Sequence, residues 1–383
     1  MTDQETLYMM ALAQVPSVSQ TNLHLLIDEL GTATAIYENR KSLKELLPAA
    51  SQKTLDALAS IDNHLKRAEE ELQFCKEGKI QCLGINDNNY PQRLKDCNDA
   101  PILLYYRGSA NLNTQHIVSM VGTRQITAYG KDLCRTFVRD LKQLCPDTLV
   151  VSGLAYGVDI HCHKAALEEG LDTVGVLAHG MDQIYPRMHR DTAKQMLTQG
   201  GLLTEYLSGT PIDKRNFVQR NRIVAGVADA IIVVESATKG GSLITADIAL
   251  SYNRQVWAYP GRITDTYSAG CNKLISSNKA ALLLDAEDFC LSMGWTNDIR
   301  HRKKLSDGIQ QELFSDFSAE ERRIVEALAK ADSKQINVLS VETNIPIGQL
   351  SSLLFTLEMK GAVQMLVGGK YKIARETLPT SPL

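Results

Sequence analysis

No segment of the 383-residue chain approaches the roughly 18 consecutive apolar residues that a membrane-spanning helix needs. The start, MTDQETLYMM, lacks the basic stretch and apolar run of a secretory leader. Both absences point to a cytoplasmic protein with no membrane partner. Eight cysteines are scattered at 75, 82, 97, 134, 145, 162, 271 and 290 without a C-x-x-C pair, which argues against a zinc site and a disulfide framework. An excess of positive charge is also missing. With 41 Lys+Arg against 44 Asp+Glu the net charge is -3, so any contact with phosphates must use a local patch.

Signatures of familiar chemistry are equally sparse. No G-x-G-x-x-G opens a helix after a first strand and no G-x-x-x-x-G-K-[ST] occurs, so neither a dinucleotide nor a nucleoside triphosphate is expected as cofactor. There is no G-x-S-x-G elbow. His161 and His163, two apart on a predicted helix, point in different directions and make a poor metal pair. Asp159, Asp182 and Asp247 each follow a glycine-bearing loop, where carboxylates commonly cap helices or form turns. No catalytic residue and no metal ligand is assigned, and the chain is read as a binder.

What is present is organised in parts. Residues 1–78 show apolar positions at helical spacing in LHLLIDEL and LDALASI, with 7 Lys+Arg against 12 Asp+Glu, and read as a small acidic helical module, SAM-like or helix-hairpin-helix-like. Residues 79–292 form the core. Its apolar, often β-branched runs HIVSMVG, TLVVSG, DTVGVLA, GLLTE, DAIIVVE and QVWAYP alternate with helical stretches. Such alternation implies an α/β fold, a Rossmann-like doubly wound and mostly parallel sheet covered on both faces. Residues 293–315, including the basic run HRKK, read as a solvated linker. Residues 316–376 carry three helical stretches and a strand pair turning at Gly368-Gly369, the pattern of a winged helix. Its third helix offers Gln349, serines, Glu358 and a lone Lys360, a poor set for reading duplex bases, so protein contact is the favoured role.

In a doubly wound sheet, ligands bind beyond the carboxyl ends of the strands. The segments there are Gly122-Thr123-Arg124, Ser152-Gly153-Leu154-Ala155-Tyr156-Gly157, Ala178-His179-Gly180, Thr238-Lys239-Gly240-Gly241-Ser242 and Pro260-Gly261-Arg262. Their glycines permit tight turns and close backbone approach, which suits phosphate. The stretch PIDKRNFVQRNRIVAG adds Lys214, Arg215, Arg220 and Arg222 around Phe217, Asn216 and Asn221. On one reading, Lys214 and Phe217 precede a helix whose first turns hold Arg220, Asn221 and Arg222, and the group grips a phosphate backbone while the ring stacks on a base. On the other, Phe217 is core and the arginines pair with acids such as Glu205 and Glu235.

The succession VGTR, SGLAYGVDIHCHKAAL, VLAHGMDQIYP, GGLLTEY, FVQRNRIVAG, IIVVES, GGSLITADIAL, WAYPGR and GCNKLI, in order over about 116–285, closely resembles the DprA family of DNA-processing proteins, also called Smf. The resemblance implies a non-catalytic, dimeric binder of single-stranded DNA. Such a protein shields incoming strands from nucleases, helps relieve the block imposed by single-strand-binding protein, and loads the RecA recombinase in natural transformation. It also implies site residues: Arg124 on phosphate, Gly180 where backbone approaches, Lys214 on phosphate and Phe217 on a base, with Arg220, Asn221 and Arg222 as supports or secondary contacts. Gly153 is grouped with them as a turn glycine. Thr123 stands where serine is usual, His179 where a smaller residue is common, and VPSVSQTN lacks the glycines of a helix-hairpin-helix turn.

The competing class is an enzyme. Nucleotide phosphoribohydrolases of lysine-decarboxylase-like fold share a glycine-rich turn before a helix, as in KGGSLITADIAL, but need a glutamate in a P-G-G-x-G-T-x-x-E context. The corresponding region here has Asp247. A third class, a duplex reader acting through the tail, is disfavoured by the third helix.

Overall fold

The computed structural model of the chain describes residues 1–16, 18–45, 48, 50–295, 317–329, 333–360, 362–366 and 370–373. They fall into two compact units divided at Thr296. Most of the expected linker and the Gly368-Gly369 turn lie outside the described residues.

The first unit opens with helices α1 (Asp3–Ala13), α2 (Gln20–Leu30), α3 (Ala33–Glu38), α4 (Gln52–Ala59) and α5 (Asp62–Gly78). Hydroxyl side chains start four of them: Thr2, Ser19, Thr32 and Ser51 each accept a backbone N–H three residues on. Next come β1 (Gln81–Gly84), α6 (Gln92–Lys95) and β2 (Leu103–Gly108). Neither strand was evident from sequence. They pair antiparallel with each other, and β2 continues antiparallel onto the main sheet. Met10, Leu26 and Ile36 of the helices share one core with Leu104 and Tyr105 of β2.

Seven further strands complete the sheet: β3 (Ile117–Val121), β4 (Leu149–Ser152), β5 (Thr173–Val176), β6 (Gly200–Thr204), β7 (Ala230–Val233), β8 (Gln255–Ala258) and β9 (Ala281–Leu282). The order is β1-β2-β6-β5-β4-β3-β7-β8-β9, and every pairing from β6 to β9 is parallel. All six apolar runs picked out in the sequence are strands. The crossover helices are α7 (Ala128–Leu144), α8 (Val158–Glu169), α9 (Arg190–Met196), α10 (Lys214–Gly226), α11 (Gly241–Ser251) and α12 (Ala269–Ser276), and α13 (Ala286–Ser292) follows the sheet. Helices on both faces bury β3, β4, β5 and β7 completely. Each Val or Ile so buried contributes about 1.5–3 kcal/mol, which is why these strands read as predominantly apolar runs. From β3 the chain winds outward to β4, β5 and β6, then crosses back to β7, so β3 and β7 flank the switch point of the fold.

The second unit holds α14 (Ala319–Leu328), β10 (Lys334–Gln335), α15 (Ile336–Thr343), α16 (Ile347–Met359), β11 (Val363–Leu366) and β12 (Lys370–Ile373). Ser318 and Glu321 close a capping box at the start of α14. The three helices and the sheet β10-β12-β11 enclose a core of Ile324, Leu328, Leu339, Leu350, Leu354 and Leu357. This is a winged helix.

Candidate nucleic-acid interface

The carboxyl ends of β3, β4 and β5 and the start of α10 meet on one edge of the sheet. Behind β3, Thr123 donates its N–H to Glu235 O at 2.7 Å, and its hydroxyl accepts the Gln125 N–H at 3.1 Å. Glu235 is buried and takes the Thr127 N–H at 2.9 Å and its hydroxyl at 2.5 Å. The turn is thereby fixed, with the Arg124 side chain outside it and exposed. A serine at 123 could accept the same bond, so the threonine is no departure in geometry.

Helix α10 begins earlier than the sequence suggested. Asp213 caps it by accepting the Arg215 N–H at 2.7 Å, so Lys214 and Phe217 lie in its first turns rather than ahead of it. Lys214 is exposed and Phe217 half-buried. The Arg124 guanidinium stands 5.5 Å from the centre of the Phe217 ring, and the Tyr185 ring lies edge-on to Phe217 at 5.8 Å. Tyr185 is 38% exposed and Tyr156 40% exposed. Tyr156 precedes Gly157, whose Cα approaches so close to Arg124 that a Cβ there would come within 2.7 Å of the arginine Cα. Neither Arg124 nor Lys214 has an acidic partner among the described residues, whereas Arg215 is held by Asp213. The face therefore combines two uncompensated cations with three accessible rings.

Arg220 and Arg222, for which a supporting role, a secondary contact and pairing with acids were all open, lie inside the protein. Arg220 is 3% exposed; it donates to Gly153 O at 2.6 Å and also to Val176 O, crossing the ends of β4 and β5. Burial lowers its pKa to about 10, with Asp159 opposing the shift, so it stays charged at neutral pH. Asp159 in turn accepts the N–H groups of Gly153 at 3.1 Å and Ala155 at 3.3 Å, and its own pKa is raised by burial against the pull of Arg220. Arg222 pairs with Glu205 and donates to Asp99 O at 2.7 Å. Both arginines are thus engaged inside the protein, and Asn221 is half-buried between them. Of the two acids proposed as arginine partners, Glu205 takes that role and Glu235 does not.

The two glycines answer to the protein's own packing. A Cβ on Gly153 would stand 2.5 Å from the Arg220 guanidinium, and one on Gly180 2.3 Å from Leu207 O and 2.6 Å from the Ser208 Cα. The close approach expected at Gly180 is made by the loop ahead of α10. His179 is buried; its Nδ1 donates to Gly180 O at 2.8 Å and its Nε2 accepts the Tyr185 N–H at 3.3 Å. Burial lowers its pKa, in keeping with this neutral tautomer. The unusual histidine thus fixes the backbone beneath the Tyr185 ring. Tyr156 and His179 lie within the second and third carboxyl-end segments and Tyr185 follows the third, but sequence alone assigns none of the three as a contact.

Elsewhere, His163 lies in the interior with Nδ1 2.7 Å from Thr173 Oγ1, and His161 Nδ1 lies 2.8 Å from Gly157 O, so the pair serves local structure. No group of His, Cys, Asp or Glu among the described residues could hold a metal ion. No helix among them is long and apolar enough to cross a membrane. On the winged helix, α16 presents Phe355 at 65% and Met359 at 75% exposure, while Lys360 is tied to Glu321 at 2.8 Å.

Residues 81–294 match the family model for DNA recombination-mediator protein A, more than half of the chain. The chain belongs to that family. Residues 312–369 match the model for its winged-helix domain, DprA winged helix. The chain is 38% identical over 230 residues to DNA processing protein DprA of Bacillus subtilis, covering 60% of this chain and 76% of that one. It is 29% identical over 317 residues to protein Smf of Escherichia coli, covering 81% and 82%. Among solved structures, DprA of Streptococcus pneumoniae matches with a TM-score of 0.64 at 29% identity, covering 76% of this chain and 98% of that one. DprA of Helicobacter pylori, described in terms of its single-stranded DNA binding mode, matches with a TM-score of 0.51 at 28% identity, covering 56% and 95%.

Proposed function

We propose that this member of the family binds single-stranded DNA across the Arg124–Lys214–Phe217 face and breaks no bond in doing so. The observation that carries the reading is the Arg124 guanidinium set over the Phe217 ring beside Tyr185, with neither Arg124 nor Lys214 paired to an acid among the described residues. Cations of this kind neutralise phosphates, and rings of this kind stack on bases that are unpaired. The single-stranded DNA binding of the Helicobacter pylori relative supports it. In this reading residues 79–292 carry the strand, 293–315 tether, and 316–376 contact protein through the apolar face of α16. The wider role is that of a recombination mediator. As a dimer, the protein protects incoming strands, helps relieve the block imposed by single-strand-binding protein and loads RecA during natural transformation.

The phosphoribohydrolase alternative gains nothing from Asp247, an exposed carboxylate paired with Lys279 at 2.7 Å. A gel-shift comparison of single- and double-stranded oligonucleotides across a salt series, with and without RecA, tests the reading. Preference for duplex, or release of free base from nucleoside monophosphates, would replace it.

A further inference from the structure

One carboxylate outside the interface reaches the segment that builds it. Glu71, on α5, is 2% exposed. Its two oxygens accept the Ser208 N–H, each at 3.0 Å, and one of them also accepts the Ser208 hydroxyl at 2.5 Å. Arg67, one turn earlier, donates to Glu71 at 2.7 Å, to Ser208 O at 2.6 Å and to Ser208 Oγ at 2.9 Å. Every polar group of Ser208 is therefore held by one turn of α5. Burying a carboxylate is costly unless donors meet it, and apolar packing alone would have joined helix to core. What the arrangement adds is a fixed location for Ser208.

That location matters to everything downstream. Leu207 O and Ser208 Cα fill the space left by the missing Cβ of Gly180. Thr210 donates its N–H to Leu207 O at 3.3 Å and accepts Gln183 Nε2 on its own carbonyl at 3.2 Å. Three residues later comes Asp213, the cap of α10, and then Lys214 and Phe217. The segment is pinned by α5 on one side and lies against the turn leading to Tyr185 on the other.

We propose that Glu71 is a positioning residue for the nucleic-acid interface. By holding Ser208 it sets the start of α10, and with it Lys214 and the Phe217 ring, against Arg124 and Tyr185. The amino-terminal helices thus contribute to strand binding without touching the strand. This rests on the single-stranded DNA reading of that face, and supporting groups of this kind are what keep a binding constellation in register.

The test is a mutant cycle on the full chain with a fluorescently labelled poly-dT oligonucleotide. Glu71→Ala is expected to weaken binding roughly fivefold to tenfold, and Glu71→Gln, which keeps an acceptor for the Ser208 N–H, by about threefold or less. Adding Glu71→Ala to Lys214→Ala/Phe217→Ala should cost nothing further, because the groups it positions are already gone. Wild-type affinity in Glu71→Ala beside a weakened Lys214→Ala/Phe217→Ala overturns the positioning role alone. A further loss of the same factor in the triple variant overturns it too, since Glu71 would then act independently of the interface. If Lys214→Ala/Phe217→Ala itself binds like wild type, the interface reading is the link that failed and this proposal goes with it. Should Glu71→Ala not fold, Ser208→Ala removes only the hydroxyl contacts and carries the same cycle. About a threefold loss that vanishes in the Lys214→Ala/Phe217→Ala background supports the proposal, and no loss overturns it.

Discussion

Removing Phe217 and Lys214 separates the two interactions on which strand binding is proposed to rest. Phe217→Ala deletes one stacking surface, worth about 1–3 kcal/mol per base. At about 1.4 kcal/mol per tenfold change in affinity, that is roughly a 5-fold to 150-fold loss. It leaves the number of neutralised phosphates unchanged, so a plot of log affinity against log salt should shift down without changing slope. Lys214→Ala removes one phosphate contact, and for single strands each contact contributes a slope of about -0.7. Its line should flatten by that amount and converge on wild type at high salt. The double variant should bind at least tenfold more weakly at matched salt. Folding is a small confounder: Lys214 is exposed without an acidic partner among the described residues, and Phe217 is only half-buried. Fluorescence anisotropy with labelled poly-dT from low salt to about 0.3 M resolves both parameters. Wild-type affinity in the double variant at every salt would refute the interface. A changed slope with an unchanged intercept in Phe217→Ala would refute stacking.

Arg220→Ala strips two carbonyls of their donor and leaves Asp159 buried without a nearby cation; we expect about 3 kcal/mol of destabilisation, read as a lower urea midpoint, and an unchanged midpoint would contradict the supporting role. Gly180→Ala would place a Cβ 2.3 Å from Leu207 O, a backbone atom that cannot swing aside, so both melting temperature and strand affinity should fall. A variant as stable as wild type would show that the loop yields freely. His163 is held neutral: Thr173 Oγ1 donates to Val150 O, so Nδ1 must donate to that hydroxyl, leaving Nε2 buried without a partner. Burial lowers its pKa to about 3, below the unfolded value of 6.5. Between those values the unfolded chain binds more protons, so the contribution is complete above pH 6.5 and is lost as pH falls. From pH 7 to pH 5 this amounts to about 2 kcal/mol, which chemical denaturation should show in wild type and lose in His163→Gln. Equal pH dependence in the two would refute the assignment.

The strands from β3 to β8 were legible because burial on both faces leaves them mostly apolar, with their few polar residues, such as Ser119 and Thr173, buried among Val, Ile and Leu. β1 and β2 were not. QCLG is short and only half covered, and LLYYRG, lying ahead of the alternating pattern, gave no cue to an antiparallel extension. The start of α10 is not marked by apolar periodicity, which begins only after Phe217; a polar cap, Asp213, starts the helix. Residue type leaves Arg220 open between a secondary contact, a support and an ion pair. Its spacing narrows the choice: it sits three and four residues before Ile223 and Val224, both buried, and so shares their face. The contact between Glu71 and Ser208 spans 137 positions, and no local pattern marks it.

The same residues explain why a sheet of this kind would hold a polymer rather than a nucleotide. In a doubly wound fold the crevice beyond the strand ends is where a mononucleotide would be enclosed. Here Arg220 fills the space beyond β4 and β5 from within, with its guanidinium against Gly153 where a ligand's phosphate would otherwise approach. The loop ahead of α10, held by Glu71 and lodged against Gly180, closes the neighbouring side. The remaining cations and rings, Arg124, Lys214, Tyr156, Tyr185 and Phe217, are left on an open rim. An open rim cannot wrap a small ligand, but it offers repeated contacts to a strand that runs past it. The buried Arg220 still carries its charge, with Asp159 as counter-charge, and acts electrostatically on Arg124 without touching it. Closing the crevice is therefore shared between the inward arginine of α10 and the loop ahead of that helix, while its outward lysine and ring join Arg124 of the turn after β3 on the rim.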